Sequence, residues 1–467
     1  MITVRRLTLM TLLAGVALAV SAQQQPELQQ QSAQQPEQSQ QPEQWTLQLC
    51  IDYAMAHNIT LQRNRLSAES ANVDVKTAQA ALFPSLSGSI SQRLTNRPNS
   101  PSTTYVDDNG NVQTSSTKTS YNGTYGLNLN WTLYNGGRNT RTIKQQKMNN
   151  RMAELAVDES ANSIEENIAQ LYVQILYATE AVKVSESTLA VSQAERDRAK
   201  LLLDAGSLAR SDLAQLESQV SDDRYQLVTA QANLQDYKLQ LKQLLELDGD
   251  VEMNLFIPEL GNEHVLSPLP AKADVYRAAL TLRPEIESSK LSVEAADLEV
   301  RIAKAGYLPS LSLTAGIGSS NINGSDFTFA EQIKQNWNNS LGLTISIPIF
   351  SNRQTKSAVD KAKIQLLSSQ LDLTDQQKTL YRTIETLWLD ANSAQQQYAA
   401  AVEKLRSSQE SYDLVQEQFN VGMKNTVELL TEKNNLLSAQ QQMLQAKYTA
   451  VLNEQLLKFY QGETIKL

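Results

Sequence analysis

Two stretches of this chain, residues 138–205 and 349–421, contain neither Gly nor Pro. These two residues stop helices most readily, Gly through backbone entropy and Pro through its missing N–H and its ring. At 1.5 Å per residue, uninterrupted helices over such stretches are rods on the order of 100 Å long. After Gly206 an apolar residue falls at every seventh position: Leu213, Val220, Leu227, Leu234 and Leu241. After Gly422 the aligned positions are Leu429, Leu436, Met443, Ala450 and Leu457. A sustained seven-residue apolar repeat calls for coiled-coil packing. Gly206 and Gly422 therefore read as hairpin tips, where each rod turns into a shorter antiparallel partner at about 207–246 and 423–461. Segments at about 46–81 and 270–306 have the length to stack on those partners and complete the second strand of the coil.

The rods belong to an internal duplication. Leu82-Phe83-Pro84-Ser85-Leu86 recurs as Tyr307-Leu308-Pro309-Ser310-Leu311, a shift of 225 positions. Gly126 through Tyr134 matches Gly342 through Phe350 at a shift of 216, and the same shift aligns Gly206 with Gly422 and Asp212 with Glu428. The first half carries about nine extra residues between Pro84 and Gly126. The layout is a first repeat at 45–247, a connector at 248–269, a second repeat at 270–462 and a tail at 463–467.

Four segments alternate with period two, at about 84–96, 121–134, 309–320 and 339–350. In the second, Tyr121, Tyr125, Leu127, Leu129, Trp131 and Leu133 alternate with Asn and Thr; the fourth runs Leu341, Leu343, Ile345, Ile347, Ile349. This is the pattern of half-buried strands, at the length of tilted membrane-spanning ones. The joining segments, about 97–120 and 320–338, are polar and rich in Asn, Ser and Gly, as exposed loops are.

Residues 1–22 combine Arg5 and Arg6, an apolar stretch from Leu7 to Val20, and a small-x-small end at Val20-Ser21-Ala22. That is the layout of a secretory signal peptide, with cleavage expected after Ala22. The apolar stretch is 14 residues, short of the roughly 20 that span a bilayer. Gln23 stands where a lipoprotein needs Cys, so no lipid anchor is expected. Residues 23–44 are Gln- and Pro-rich with Leu28 as their one large aliphatic, a composition expected to be disordered.

Composition excludes several functions. With 41 Lys+Arg against 50 Asp+Glu and no basic run longer than Arg5-Arg6, nothing neutralises a row of phosphates, so no nucleic-acid partner is expected. One Cys and two His cannot furnish a zinc site or a disulfide. Cys50 reads as a small buried hydrophobe; His57 and His264 lie in no catalytic motif, so neither enzyme activity nor a cofactor is expected. A periplasmic coiled-coil scaffold would account for the heptads, but not for four duplicated strands of membrane length.

The fold class expected is an α+β membrane protein. Four amphipathic strands cannot close a barrel, and an open edge is not tolerated in lipid, so copies must associate. Two copies supply eight strands and three supply 12, and only the wider ring leaves a passage. The same symmetry surrounds one axis with helices, and a tube continuous with a barrel is a conduit.

In these features the chain resembles the TolC-like outer-membrane efflux channel family. The resemblance covers about residues 45–461, including both strand entries and the tips Ala205-Gly206-Ser207-Leu208-Ala209-Arg210-Ser211-Asp212-Leu213 and Val421-Gly422-Met423-Lys424-Asn425-Thr426-Val427-Glu428-Leu429. It implies a homotrimer with a 12-stranded β-barrel and a periplasmic α-helical barrel, a periplasmic adaptor protein, and an inner-membrane transporter as partners. It serves drug efflux and type I protein secretion alike. By the same resemblance the tips, with Gly206, Ser207, Leu208, Gly422 and Met423, receive the adaptor and close the periplasmic entrance. The family's latch falls on Ser211, Asp212, Phe419 and Lys424, with Lys424 set to pair with Asp212, while Phe419 lacks the phenol oxygen of one contact. Of the family's two acidic constriction rings, Glu428 matches the first, and Thr431, with Glu432 beside it, occupies the second. Asp212 and Glu428 equally fit as acids that stabilise the start of a helix. Trp131 and Tyr134 fit an aromatic girdle at the lipid boundary or packing on a neighbouring helix.

Overall fold

The rods and their glycine punctuation set the architecture of the computed structural model. It describes residues 44–99, 103–106, 112–115, 119–248, 253–258, 265–323, 325 and 327–466. The expected signal peptide and almost all of the Gln-rich segment lie outside the described residues, as do parts of the connector. From Thr46 onward the chain is one compact unit.

Two helices, α1 (Leu47–His57) and α2 (Ile59–Ala80), lead into β1 (Ser85–Asn96). A small hairpin, β2 (Thr103–Val106) and β3 (Val112–Ser115), precedes the long strand β4 (Thr119–Asn135). The first rod is α3 (Arg138–Asp204), and α4 (Arg210–Leu244) returns along it. The second half repeats this order with α5 (Lys272–Leu282), α6 (Pro284–Lys304), β5 (Ser310–Ile322), a short helix α7 (Phe329–Gln335) and β6 (Asn338–Ser346). It ends on the second rod, α8 (Gln354–Asn420), and its partner α9 (Thr426–Tyr460).

Both rods have 67 residues. Each starts from a left-handed turn, made by Gly136 and Gly137 in the first half and by Asn352 and Arg353 in the second. The second rod therefore begins at Gln354, five residues later than the absence of Gly and Pro allows. The stacking segments are each broken once, at Asn58 and at Arg283, which are 225 positions apart in the duplication. Both residues leave helical dihedrals for an extended ψ of 124° and 125°. Asn58 caps α2 by accepting from Leu61 N–H, and its amide donates to the Leu244 carbonyl at the end of α4. Arg283 instead precedes Pro284, stacks its guanidinium on Tyr460 at 3.7 Å, and pairs with Glu166 at 3.2 Å.

α2 lies along α3, and α6 along both α3 and α8. Cores form where the helices meet, for example Val275, Ala279, Ile286, Leu380, Ile384, Ala391 and Leu457. Cys50 is fully buried, and burial pushes its thiol up to about 12. No helix among the described residues is long and apolar enough to cross a membrane.

The four long strands form one antiparallel sheet in the order β1-β4-β5-β6. Register puts Leu86 beside Leu129, Leu129 beside Ala315 and Ala315 beside Leu341. Paired residues share a face, so one face is a continuous apolar surface. The other carries Ser87, Asn128, Gly316 and Ser340, one residue along each strand. A bulge between Thr132 and Tyr134 adds one residue to β4 and aligns Tyr134 with Leu311. Tyr134 is thereby re-aimed onto the apolar face that also carries Trp131. β6 stops at Ser346, short of the expected end near residue 350, because Pro348 has no N–H to give a ladder. Leu86, Ile90, Leu341, Leu343 and Ile345 are all exposed in the single chain.

Candidate gate at the helix tips

Both rods end in the same hydrogen-bonded turn. At the first tip Gly206 N–H donates to the Leu203 carbonyl and Ser207 N–H to that of Leu202; at the second, Gly422 bonds Phe419 and Met423 bonds Gln418. This is the Schellman arrangement, which needs a left-handed residue one position past the cap. Gly206 and Gly422 supply it, with φ of 72° and 76°. A Cβ would meet nothing within 4 Å at either, so backbone conformation and not space requires Gly. Val421, Met423 and Leu201 are strongly exposed around the tips, as are Gly206, Ser207 and Gly422, while Leu208 is half-buried.

The outgoing helices start differently. α9 opens with a capping box, in which the Asn425 side chain accepts from Glu428 N–H and Glu428 accepts from Asn425 N–H. Lys424 lies 2.5 Å from Glu428, four residues along the chain. The Lys424 ammonium, then the Asn425 N–H, hold the Glu428 carboxyl below its ordinary value. Within the chain Lys424 thus pairs with Glu428 and not, as expected, with Asp212. Glu428, four residues on in the first turn of the helix that Lys424 leads into, is nearer than a residue on the other tip. α4 opens at Ala209 with no side-chain cap. Asp212 is the third residue of that helix, as Glu428 is of α9, and its carboxylate has no hydrogen-bond or ion-pair partner among the described residues. Ser211 is exposed beside it, and Thr431 bonds back to the Val427 carbonyl. Phe419, expected in the latch, is buried in a core with Tyr412, Leu429 and Leu436. Without a hydroxyl to satisfy, its ring gains most by leaving water.

Behind the tips lies a polar centre that the pattern of the sequence did not single out. Lys433 on α9, buried to 4 %, lies 2.9 Å from Asp223 on α4 and 3.7 Å from Glu195 on α3. Ser192 bonds both Lys433 and Asp223, and Gln219 donates to Asp223 at 2.8 Å. Tyr412 on α8 donates to Glu195 at 2.7 Å, which leaves the second Glu195 oxygen facing Lys433 without a hydrogen bond. Burial, then the Glu195 carboxylate, pushes the Tyr412 phenol up. One ammonium is shared by two carboxylates, and the cluster ties α3, α4, α8 and α9 at one level. Its signal was spacing: Lys433 follows Leu429 by four and precedes Leu436 by three, so it shares their buried face.

Trp131 is half-buried on the apolar face and donates from its indole to the Leu82 carbonyl at 2.8 Å; Tyr134 is exposed beyond it. With Phe83, Tyr307 and Phe350, also exposed, they ring the helix-side end of the sheet.

An amphipathic strand array joined to helical hairpins that end in paired tips defines a membrane duct. The family model described as "outer membrane efflux protein" matches residues 50–246 and 275–463, most of the chain, and the chain belongs to that family. It is 25% identical over 410 residues to the outer membrane efflux protein BepC of Brucella suis, covering 87% of this chain and 83% of the relative. It is 21% identical over 407 residues to TolC of Escherichia coli, covering 86% and 79%. A shorter match, 25% over 300 residues, covers 63% of this chain and 61% of the alkaline protease secretion protein AprF of Pseudomonas aeruginosa. Among solved structures, CusC superposes with a TM-score of 0.75 at 21% identity, covering 89% of this chain and 91% of that one. VceC of Vibrio cholerae gives 0.73 at 15% identity, covering 90% and 97%. The chain is an outer-membrane exit duct for efflux.

Proposed function

We propose that three copies close one 12-stranded barrel in the outer membrane and continue into a helical conduit in the periplasm. The duct passively carries cargo delivered by an inner-membrane transporter through a periplasmic adaptor. The observation that carries this reading is the β1-β4-β5-β6 sheet, apolar on one face and polar on the other, with the outer edges of β1 and β6 unpaired among the described residues. Each unpaired backbone group in hydrocarbon costs several kcal/mol, and only closure removes an edge. Three equal contributions give a ring wide enough for a lumen. The apolar face meets lipid, with Trp131 and Tyr134 at its periplasmic boundary. Light scattering on the detergent-extracted complex is expected to give three copies, and a monomer or dimer overturns this reading.

At the entrance, Asp212 finds its counter-charge across the boundary between copies, on the Lys424 side of the neighbouring tip. Its lack of a partner inside the chain supports this. Asp212→Ala and Lys424→Ala are each expected to raise single-channel conductance in a planar bilayer; no change in either removes the latch. Three Glu428 carboxylates, with Thr431 uncharged one turn on, form one acidic ring that focuses cations. Gly206, Ser207, Leu208, Gly422 and Met423 present the exposed surface that receives the adaptor. Resemblance to AprF also supports protein secretion as cargo traffic, and exchange of the cognate transporter is the test that separates it from small-molecule efflux.

A further inference from the structure

The segment between β5 and β6 does not arch over the polar face of the sheet. Ser319 and Tyr125 are cross-strand partners on the apolar face, in step with Leu313 and Leu127. Ser319 donates its hydroxyl to the Ile333 carbonyl of α7 at 2.7 Å, and the Tyr125 ring meets Phe329 edge-on at 6.1 Å. Tyr125 leans over Gly123, where a Cβ would come within 2.8 Å of its hydroxyl. The lean carries that hydroxyl to Gln92 and Asn321. Buried Gln332 accepts from Ile322 N–H, a β5 donor beyond the reach of β6, and Asn336 donates to the Ser320 carbonyl. A full capping box at Thr328 and Glu331 fixes the start of α7. Residues 327–337 are therefore pinned, by four contacts, to the apolar side of the sheet at the end away from the helices.

On that pinned element Phe327, Phe329 and Trp337 are 50–58% exposed. Trp337 directly precedes β6, in step with Leu341 and Leu343 of the apolar face. Tyr125 and Tyr134 are nine residues apart on β4, about 30 Å along a strand and about 23 Å in height at a tilt of roughly 40°. A membrane barrel has an apolar band about 25 Å tall, edged by aromatic residues. The aromatic residues around Trp131 and Tyr134 stand at one edge of such a band, and α7 stands at the other.

We propose that α7 and its flanks are an outer-leaflet anchor: Phe327, Phe329 and Trp337 insert at the boundary of lipid headgroups and acyl chains. Lys334 lies toward the headgroups. The anchor continues the apolar face and holds this loop outside the barrel wall, away from the pore mouth. This inference rests on the barrel reading. The test uses the full chain reconstituted in phosphatidylcholine vesicles, as two variants that retain one tryptophan each. One keeps Trp337 (Trp45→Phe, Trp131→Phe, Trp388→Phe), and the other keeps Trp131. Lipid brominated high on its acyl chains is expected to lower the emission of both about twofold, and lipid brominated near the chain ends to act less, as for an interfacial ring. Quenching of Trp131 alone overturns the anchor and keeps the barrel, while quenching of neither overturns the barrel itself. If Trp337 yields to aqueous acrylamide and not to bromolipid, the loop stands in water; if it yields to neither, it packs on a neighbouring copy, and the anchor fails in both cases. Should the multiple variants not fold, Trp337→Phe in the native chain serves instead: it must remove part of the bromolipid-quenchable emission, and an unchanged quenched fraction overturns the anchor.

Discussion

The two outgoing helices of the duplication, α4 and α9, have equal length and aligned heptads but different surroundings. α9 is wedged between α8 and α3, and Leu429, Leu436, Ala450 and Leu457 on its seam are all buried. α4 leans on α3 alone for most of its length, and Leu213, Leu227 and Leu234 stay half-buried. Duplication of a sequence thus does not duplicate an environment. One repeat is completed inside the chain, and the other keeps an open flank. The polar residues follow the same division. The second half supplies the cation and the phenol of the buried centre, Lys433 and Tyr412, and the first supplies the acids Glu195 and Asp223.

The largest effect expected from this contrast lies at Lys433. Lys433→Ala leaves two buried carboxylates without a cation and is expected to cost about 3–5 kcal/mol. The aligned Glu217, exposed on α4, is expected to tolerate Ala within about 0.5 kcal/mol. Urea unfolding of the detergent-solubilised protein, followed by helical circular dichroism, measures both, and equal losses would break the comparison. Next in size, Leu429→Ala opens a cavity at a fully buried site and is expected to cost about 2–5 kcal/mol. Leu213→Ala costs less than that in a single copy. An equal cost in the assembled protein would show that a neighbour covers α4.

A smaller effect separates the two starts. Asn425→Ala removes a cap worth about 1 kcal/mol, whereas Ala209→Asn adds one where none exists. Amide exchange is expected to speed up in the first turn of α9 and slow down in the first turn of α4. The smallest effect is titration of Glu428. Its carboxyl is held below the ordinary value of 4.5, so its contribution is present above that pH and fades as pH falls through the lowered value. Protection of the α9 start is expected to fall toward that of α4 as the pH drops through that lowered value. A gap that persists there would show that Lys424 and Glu428 do not set it.

Much of this was legible in the sequence. Breaker-free stretches, period-two segments and glycines at aligned positions report local geometry, and local geometry is what Gly206, Gly422 and Pro84 specify. Side-chain partners were harder to read. Lys424 has an acid on the other tip and an acid four residues on, in the first turn of the helix it leads into, and proximity favours the second. Phe419 falls on the family's latch position but lacks the phenol oxygen, and its ring, without a hydroxyl to satisfy, is buried instead. Lys433 and Asp223 look like solvated charges unless their spacing from Leu429, Leu436 and Val220 is counted. α7 leaves no mark on the sequence pattern, because seven residues carry too little periodicity to register, and its placement depends in part on Tyr125, about 200 positions away in sequence.

The polar face of the sheet has a consequence for traffic. Ser87, Ser89, Asn128, Asn130, Thr314, Ser340 and Thr344 share it, and Arg93 is the one charged residue there among the described strand residues. Hydroxyls and amides both donate and accept, so such a wall solvates an anion, a cation or a neutral solute without ranking them. In the closed barrel the membrane segment would behave as a stretch of immobilised solvent, and the choice of what leaves the cell would fall to the machinery that feeds it.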